Sequence, residues 1–295
     1  MDVTASSTVL DTVVFVLLVG VAVGVLAGVD VSEGKDGDRV AEETADVLAT
    51  STSEVTYTRS VTVESDTPLR GERAQTVSVT RTASGTYAQL LAAATVSDPS
   101  LGTTPLFGIG DELRSESREA TARVLHTREA NVQVAVTWRP YPGSTLRSSF
   151  TVGDAPPRDA DVSVTTATAA SGVRNVTAEA RRAARIRGYG GVASVVAESV
   201  VDGLFPEAEV RAALYSEGPD RALTVHRYQR ASDVLGVETA QALHERRVGD
   251  ANRKLANALA DRLRPELRAE YDSPDAAARA VRAHQVRLVV RTWSP

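Results

Sequence analysis

An uninterrupted apolar segment near the N-terminus constrains this chain more than any other feature. Residues 12–29 read TVVFVLLVGVAVGVLAGV, without charge or proline, between Asp11 and Asp30. At about 1.5 Å per helical residue, a segment of this length extends roughly 27 Å, which is close to the thickness of the hydrocarbon core of a bilayer. The segment therefore predicts a transmembrane helix.

A cleaved secretory signal is the alternative for this segment. Such a signal begins with a basic region and ends at a site of small residues. Residues 1–11 contain no lysine or arginine, the apolar run is longer than a normal signal core, and no clean Ala-x-Ala site follows it. The sequence therefore favours an uncleaved anchor preceded by a short flank, residues 1–11.

Three glycines inside the segment recur every four residues and share one face of a helix: Gly20, Gly24 and Gly28. Small residues at this spacing let a second helix approach closely in a membrane, where lipid supplies no hydrophobic drive for association. We expect this face to pack against the helix of another subunit. Glycine is also frequent in spans rich in valine and alanine, so composition alone is the alternative explanation.

The flanks of the predicted span give conflicting signals about its orientation. Lys35 and Arg39 follow it and no basic residue precedes it, which by the positive-inside rule places the bulk of the chain in the cytoplasm. Acidic residues surround those two, however, and Asn175 begins an Asn-Val-Thr sequon of the kind glycosylated in exported proteins. The sequon and the Ser/Thr-rich strand patterns together predict an extracytoplasmic domain, with Asn175 as a glycosylation candidate.

Composition excludes several classes of protein. The chain has no cysteine, so it holds no disulfide, no thiol nucleophile and no cysteine-ligated metal. A net charge of −5 argues against a general nucleic-acid binder. Only Lys35 and Lys254 among the 33 basic residues are lysine, which favours a GC-rich halophile or, less specifically, GC-rich coding alone.

Hydrophobic periodicity predicts an α+β fold behind the anchor. After an acidic linker at 30–38 we expect an α+β domain with β-hairpins at 39–154, where residues alternate with period two in several runs. The two prolines of 155–158 mark a boundary. A helix-rich α+β domain follows at 159–295 and ends in a strand, because helical spacing dominates there until the final apolar alternation.

Local signals predict single elements within these regions. Alternation predicts a strand with a Thr/Ser face at 55–63, and two alternating runs at 132–138 and 146–152 predict a hairpin across the turn residues of 140–144. The segment 222–229 is ambiguous between strand and helix. Residues 238–264 predict a helix that Pro265 bends or ends, and Ser273-Pro274 predicts the start of a last helix.

The sequence holds no recognisable catalytic, cofactor-binding or metal-binding constellation. The four histidines are scattered, and the Gly-Tyr-Gly-Gly run at 188–191 lacks the Lys-Ser/Thr of a phosphate loop, so we interpret it as a hinge. We therefore expect that the chain is not an enzyme, needs no cofactor and has no nucleic-acid partner. The densest basic run contains the candidates for contact with anionic lipid or an acidic partner: Arg181, Arg182 and Arg185. A solvated helix face is the alternative.

The overall pattern resembles a group of haloarchaeal single-pass membrane proteins of unknown function that accompany Tad-like or type IV pilus secretion components. The shared features are a charge-poor N-terminus, a valine-rich span preceded by Asp11, Thr/Val strands, a basic helical region and the terminal VVRTWSP. The chain departs from type IV prepilins, which carry a basic residue beside the cleavage site and a glutamate near the start of the mature helix. Ala5-Ser6 lacks that basic residue and Asp11 only approximates the glutamate, so prepilin processing is not implied.

The resemblance implies a membrane-anchored structural or accessory subunit of a cell-envelope assembly, pilus-like or secretion-type, whose span packs with other subunits. The alternative from the residues is a membrane-anchored extracytoplasmic binding module that uses the distal basic helices.

Overall fold

The computed structural model describes residues 36–64, 74–126 and 130–294. The predicted anchor at 12–29 lies outside them, and so do Gly20, Gly24 and Gly28. Within the described ranges no helix is both long enough and apolar enough to cross a membrane. The described chain is α+β, as the periodicity predicts.

The first half of the described chain alternates helices with strands. In order, it forms α1 (Asp36–Thr50), β1 (Thr52–Glu64), β2 (Ala74–Thr86), α2 (Tyr87–Val96), β3 (Ser100–Leu101), β4 (Thr104–Pro105), α3 (Asp111–Leu125), β5 (Asn131–Trp138) and β6 (Leu146–Val152). Helix α1 thus begins inside the segment predicted as the acidic linker.

The second half is mainly helical. It forms β7 (Ser163–Ala170), α4 (Thr177–Leu204), α5 (Glu207–Tyr215), α6 (Pro219–Leu235), α7 (Ala240–His244), α8 (Val248–Glu270), α9 (Pro274–Arg279) and β8 (Gln285–Trp293). The helix predicted at the Ser273-Pro274 pair is confirmed, because the Ser273 hydroxyl caps α9 by accepting from the Ala276 N–H.

Six strands form one antiparallel sheet in the order β4-β3-β6-β5-β8-β7. Strand β8 lies between β5 and β7, so that Val290 faces Val134 on one side and Thr165 on the other. The predicted hairpin of β5 and β6 is confirmed, with the turn signals of 140–144 between the two strands. The side chain of Trp138 is fully buried, and its indole N–H donates to the Ala283 carbonyl at 2.7 Å.

Residues on both sides of the predicted boundary at 155–158 contribute to this sheet and to one continuous core. The boundary lies in the connection between β6 and β7, and the core extends from Leu48 to Val290. Strand β8 belongs to the second predicted domain and makes about half of its backbone hydrogen bonds with β5, which belongs to the first. The two regions therefore cannot fold apart and keep this pairing. The two predicted domains thus share a sheet.

Helix α4 is kinked at the glycine run that the sequence marks as a hinge. Gly188 has φ of 60° and ψ of −146°, outside the helical region. A Cβ on Gly191 would lie 2.5 Å from the carbonyl oxygen of Ala183, so only glycine permits this close approach. We call the two parts the first arm, 177–187, and the second arm, 189–204.

Helix α8 continues through Pro265 to Glu270. One interpretation of the sequence, that the helix ends at this proline, is therefore wrong. Its buried leucines continue past the proline at a spacing of four residues: Leu255, Leu259, Leu263 and Leu267. Packing of this stripe against α4 offsets the hydrogen bond that the proline removes.

Strands β1 and β2 form a separate two-stranded ribbon with two different faces. One face carries paired hydroxyl side chains, as the alternation predicts, including Ser60 and Ser78 with oxygens 2.9 Å apart. The other face carries Tyr57, Arg59 and Arg81, and it is the face that turns toward the rest of the molecule. This ribbon packs on α3 and α6.

The shared core predicts one cooperative unfolding transition. Leu288 is fully buried in β8, so Leu288→Ala is expected to destabilise the protein by about 2–5 kcal/mol. Replacing its exposed neighbour, Arg287→Ala, is expected to cost less than about 0.5 kcal/mol. The measurement is a denaturant titration that is monitored both by the circular dichroism of the helices and by tryptophan fluorescence. The two signals should change together, and separate midpoints for helices and sheet would contradict a single core.

Candidate functional site

A cavity of about 310 Å³ lies where the ribbon meets helices α5 and α6. Its wall combines apolar side chains with three arginines and two carboxylates. The lining residues are Arg59, Arg81, Ile109, Pro206, Ala208, Glu209, Val210, Ala212, Ala213, Ser216, Asp220, Leu223, Thr224 and Arg227.

The ribbon contributes Arg59 and Arg81 from the same face of two paired strands. Arg81 lies opposite Tyr57, two residues before Arg59 on β1. Arg81 forms an ion pair with Asp220 of α6. The guanidinium of Arg59 lies 5.3 Å from the centre of the Tyr57 ring, and no carboxylate of the described residues pairs with it. The Nε atoms of both arginines are buried without an acceptor.

Helix α6 contributes Arg227, which lies against two aromatic rings. Its guanidinium is 4.5 Å from the ring centre of Phe107 and 5.2 Å from that of Phe205. One terminal N–H donates to the Leu204 carbonyl at 2.8 Å, while Nε is buried without an acceptor. Burial, and then the positive charge of Arg59, lower the pKa of Arg227 to about 10.

Two buried polar side chains fix the loops that hold these rings. The Asp98 carboxylate accepts from the backbone N–H of Phe107 at 2.8 Å and of Ile109 at 3.2 Å. The Asn252 amide donates to the Phe205 carbonyl at 2.9 Å and accepts from the Tyr228 hydroxyl. The aromatic wall around Arg227 is therefore preorganised, since each ring is tied at its own backbone.

The charge arrangement suits an anion. Asp220 pairs with Arg81, whereas Arg59 and Arg227 line the same cavity without an ion pair to any carboxylate of the described residues. Glu209 belongs to the same wall. Buried N–H groups without acceptors are costly, and a guanidinium presents paired donors that match a carboxylate or a phosphate. In the described part of the chain, no cluster of histidine and acidic side chains has the composition of a metal site.

The glycosylation candidate Asn175 is exposed in the connection before α4. Its side-chain oxygen accepts from the backbone N–H of Thr177 at 3.1 Å and from the Thr177 hydroxyl at 2.9 Å. This connection begins beside β8, where the Ser171 N–H donates to the His284 carbonyl. The sequon is therefore accessible, and its modification stays a prediction.

The three arginines predicted as contact candidates are also exposed, on the first arm of α4: Arg181, Arg182 and Arg185. Ile186 follows them with 82% of its surface exposed. The structure does not bring this group to the cavity, whose lining comes from other elements. An exposed apolar side chain beside several cations is compatible with a partner contact, which stays a prediction.

Sequence reasoning did not single out the cavity arginines. One signal was present, because Arg59 occupies the apolar phase of β1, between Tyr57 and the buried Val61. An arginine in that phase points toward the interior and needs a partner there. Arg227 carried no such signal, since its segment is ambiguous between strand and helix.

Comparison with known proteins places the chain in a family. A family model described as "Family of unknown function (DUF7284)" matches residues 10–293, and the chain belongs to that family. No curated protein and no solved structure matches it.

Loss of the Arg81–Asp220 ion pair and loss of the Arg59 charge are expected to change the stability of the protein by different amounts. Asp220→Asn leaves Arg81 without its carboxylate and should destabilise the protein by about 1 kcal/mol, given the partial exposure of both side chains. Arg59→Gln removes a charge that has no carboxylate partner and that repels Arg227, so stability should change by no more than about 0.5 kcal/mol. Denaturant midpoints measure both, and a larger loss for Arg59→Gln than for Asp220→Asn would contradict this charge arrangement.

Proposed function

We propose that this DUF7284 protein is a membrane-anchored accessory subunit of a cell-envelope assembly, pilus-like or secretion-type. Residues 12–29 form its single transmembrane helix, which packs through its glycine face with other subunits. The α+β domain lies outside the cytoplasm. The arginine-rich composition fits a haloarchaeal source, in line with the resemblance of the whole sequence pattern.

The extent of the family match is the observation that carries this proposal. The match begins at residue 10 and ends at residue 293, so it includes the apolar segment together with the domain. The apolar segment thus lies within the region that the family shares, which supports a membrane anchor as part of the protein.

The position of α1 supports a domain held near the membrane. Residues 30–35, which separate the apolar segment from α1, span at most about 20 Å. The start of α1 lies at one end of β8, where the Thr292 hydroxyl donates to the Gly37 carbonyl. The connection to Asn175 begins at the other end of β8, about 25 Å away.

The cavity favours a second candidate function, a membrane-anchored extracytoplasmic binding module. Arg59 and Arg227 line a preorganised, partly apolar space without an ion-pair partner among the described residues, and apolar walls with a few placed polar groups are usual in small-molecule sites. A binding module and an accessory subunit are compatible roles for one chain.

The absence of cysteine allows a direct test of membrane orientation. A single cysteine at the exposed position 182 (Arg182→Cys) should react with a membrane-impermeant maleimide on intact cells. Ala193→Cys, at a position with 1% exposure, should react only after denaturation. The unmodified chain gives the background. Labelling of Arg182→Cys only after lysis would place the domain in the cytoplasm and contradict the proposal.

The glycine face allows a test of assembly. Gly24→Leu places a bulky side chain in the proposed helix contact, and overpacking of about 1–3 kcal/mol would weaken association roughly five- to 150-fold. Ala22→Leu is the matched control, because successive helical residues are about 100° apart and Ala22 lies on the opposite side. The measurement is the size of the complex purified in a mild neutral detergent. Equal complexes from both variants would leave the glycines without a packing role.

A further inference from the structure

We propose that the arginine cavity binds a small organic monocarboxylate, with the carboxylate between Arg59 and Arg227 and the apolar part of the ligand against α5 and α6. This inference rests on the second candidate function, the anchored binding module. It names the ligand class of that module.

The charges of the wall place the carboxylate. Arg81 already has Asp220 as its counter-ion, whereas Arg227 makes no ion pair with Glu209, the other carboxylate of the wall. Arg59 likewise has no carboxylate partner among the described residues. A carboxylate has two oxygens and accepts from several N–H donors at once, so one such group can accept from the terminal N–H groups of both arginines.

The two acidic side chains favour a single negative charge. Three arginines against two carboxylates leave the wall with one net positive charge, which a monoanion neutralises and a doubly charged phosphate would exceed. Planar geometry also favours a carboxylate, because two oxygens in one plane match the donor fork of a guanidinium.

The rest of the wall requires an apolar body on the ligand. Ile109, Val210 and Leu223 line the cavity together with Ala212 and Ala213. An aspartate or glutamate side chain of a partner protein carries only one or two methylenes and would leave most of this surface bare. The volume of about 310 Å³ is at the lower end of the range of ligand pockets, which indicates a small molecule.

The experiment is calorimetric titration of the full chain, purified in a neutral detergent, with hexanoate as the probe. We expect one hexanoate per chain and weaker binding of butyrate and acetate, by up to about fourfold for each methylene removed. Hexanamide, which has the same body without the charge, should bind at least about tenfold more weakly than hexanoate. The series needs no mutation, so it does not depend on the folding of any variant.

Two variants locate the site. Arg59→Gln should weaken hexanoate binding at least about tenfold, whereas Arg147→Gln, at an exposed strand position on β6, should leave it unchanged. Equal binding of hexanoate and hexanamide, tighter binding of inorganic phosphate, or no effect of Arg59→Gln would each overturn the proposal. Binding of an acidic peptide without binding of hexanoate would also overturn it, in favour of a partner side chain.

The outcome is separable from the test of membrane orientation. Surface labelling of Arg182→Cys without hexanoate binding would refute the ligand class and leave the anchored extracytoplasmic domain standing. Hexanoate binding by a chain that labels only after lysis would support the cavity and refute the extracytoplasmic location.

Discussion

The architecture depends on the pairing of β8, the last strand of the described chain, with β5 and β7, which lie far earlier in the sequence. Strand β8 completes the sheet between β5 and β7, and α1 packs on the surface that β7 and β8 make together. Val286, Leu288 and Val290 each face a residue of β5 on one side and a residue of β7 on the other. Bringing together strands so far apart in the sequence is slow, because the chain loses conformational entropy before the contacts form. Burial of apolar residues such as Val286, Leu288 and Val290 offsets this entropy cost in the folded protein.

The cavity, unlike the apolar core around β8, contains charged groups whose removal from water costs free energy. A guanidinium taken from water is costly, and the protein compensates for Arg227 with a carbonyl and two ring faces instead of a carboxylate. Charged groups whose pKa values are shifted by burial cluster at functional sites. The supporting contacts of Asp98 and Asn252 are made to backbone groups, which leaves the charge of Arg227 available to the cavity.

Local patterns in the sequence predicted most elements but not how they meet. Alternation identified β5, β6 and β8, and the Ser273-Pro274 pair identified the start of α9, because these signals reside within a few residues. Alternation does not say which strands pair, so the shared sheet was missed. The cavity was missed for a related reason: Arg59 and Arg227 are close only because the ribbon packs on α6, and no spacing along the chain encodes that contact. The anchor and its glycines stay predictions, since they lie outside the described residues.

The wall of the cavity is built from three separate stretches of chain: the ribbon, the loop around Ile109, and helices α5 and α6. Any molecule held there joins the three, so its binding free energy adds to the stability of the whole. Each tenfold rise in concentration above the dissociation constant adds about 1.4 kcal/mol. Protein purified without such a molecule would melt at a lower temperature than the same protein in its natural surroundings. The difference between the two melting temperatures would then measure how strongly the missing molecule stabilises the fold.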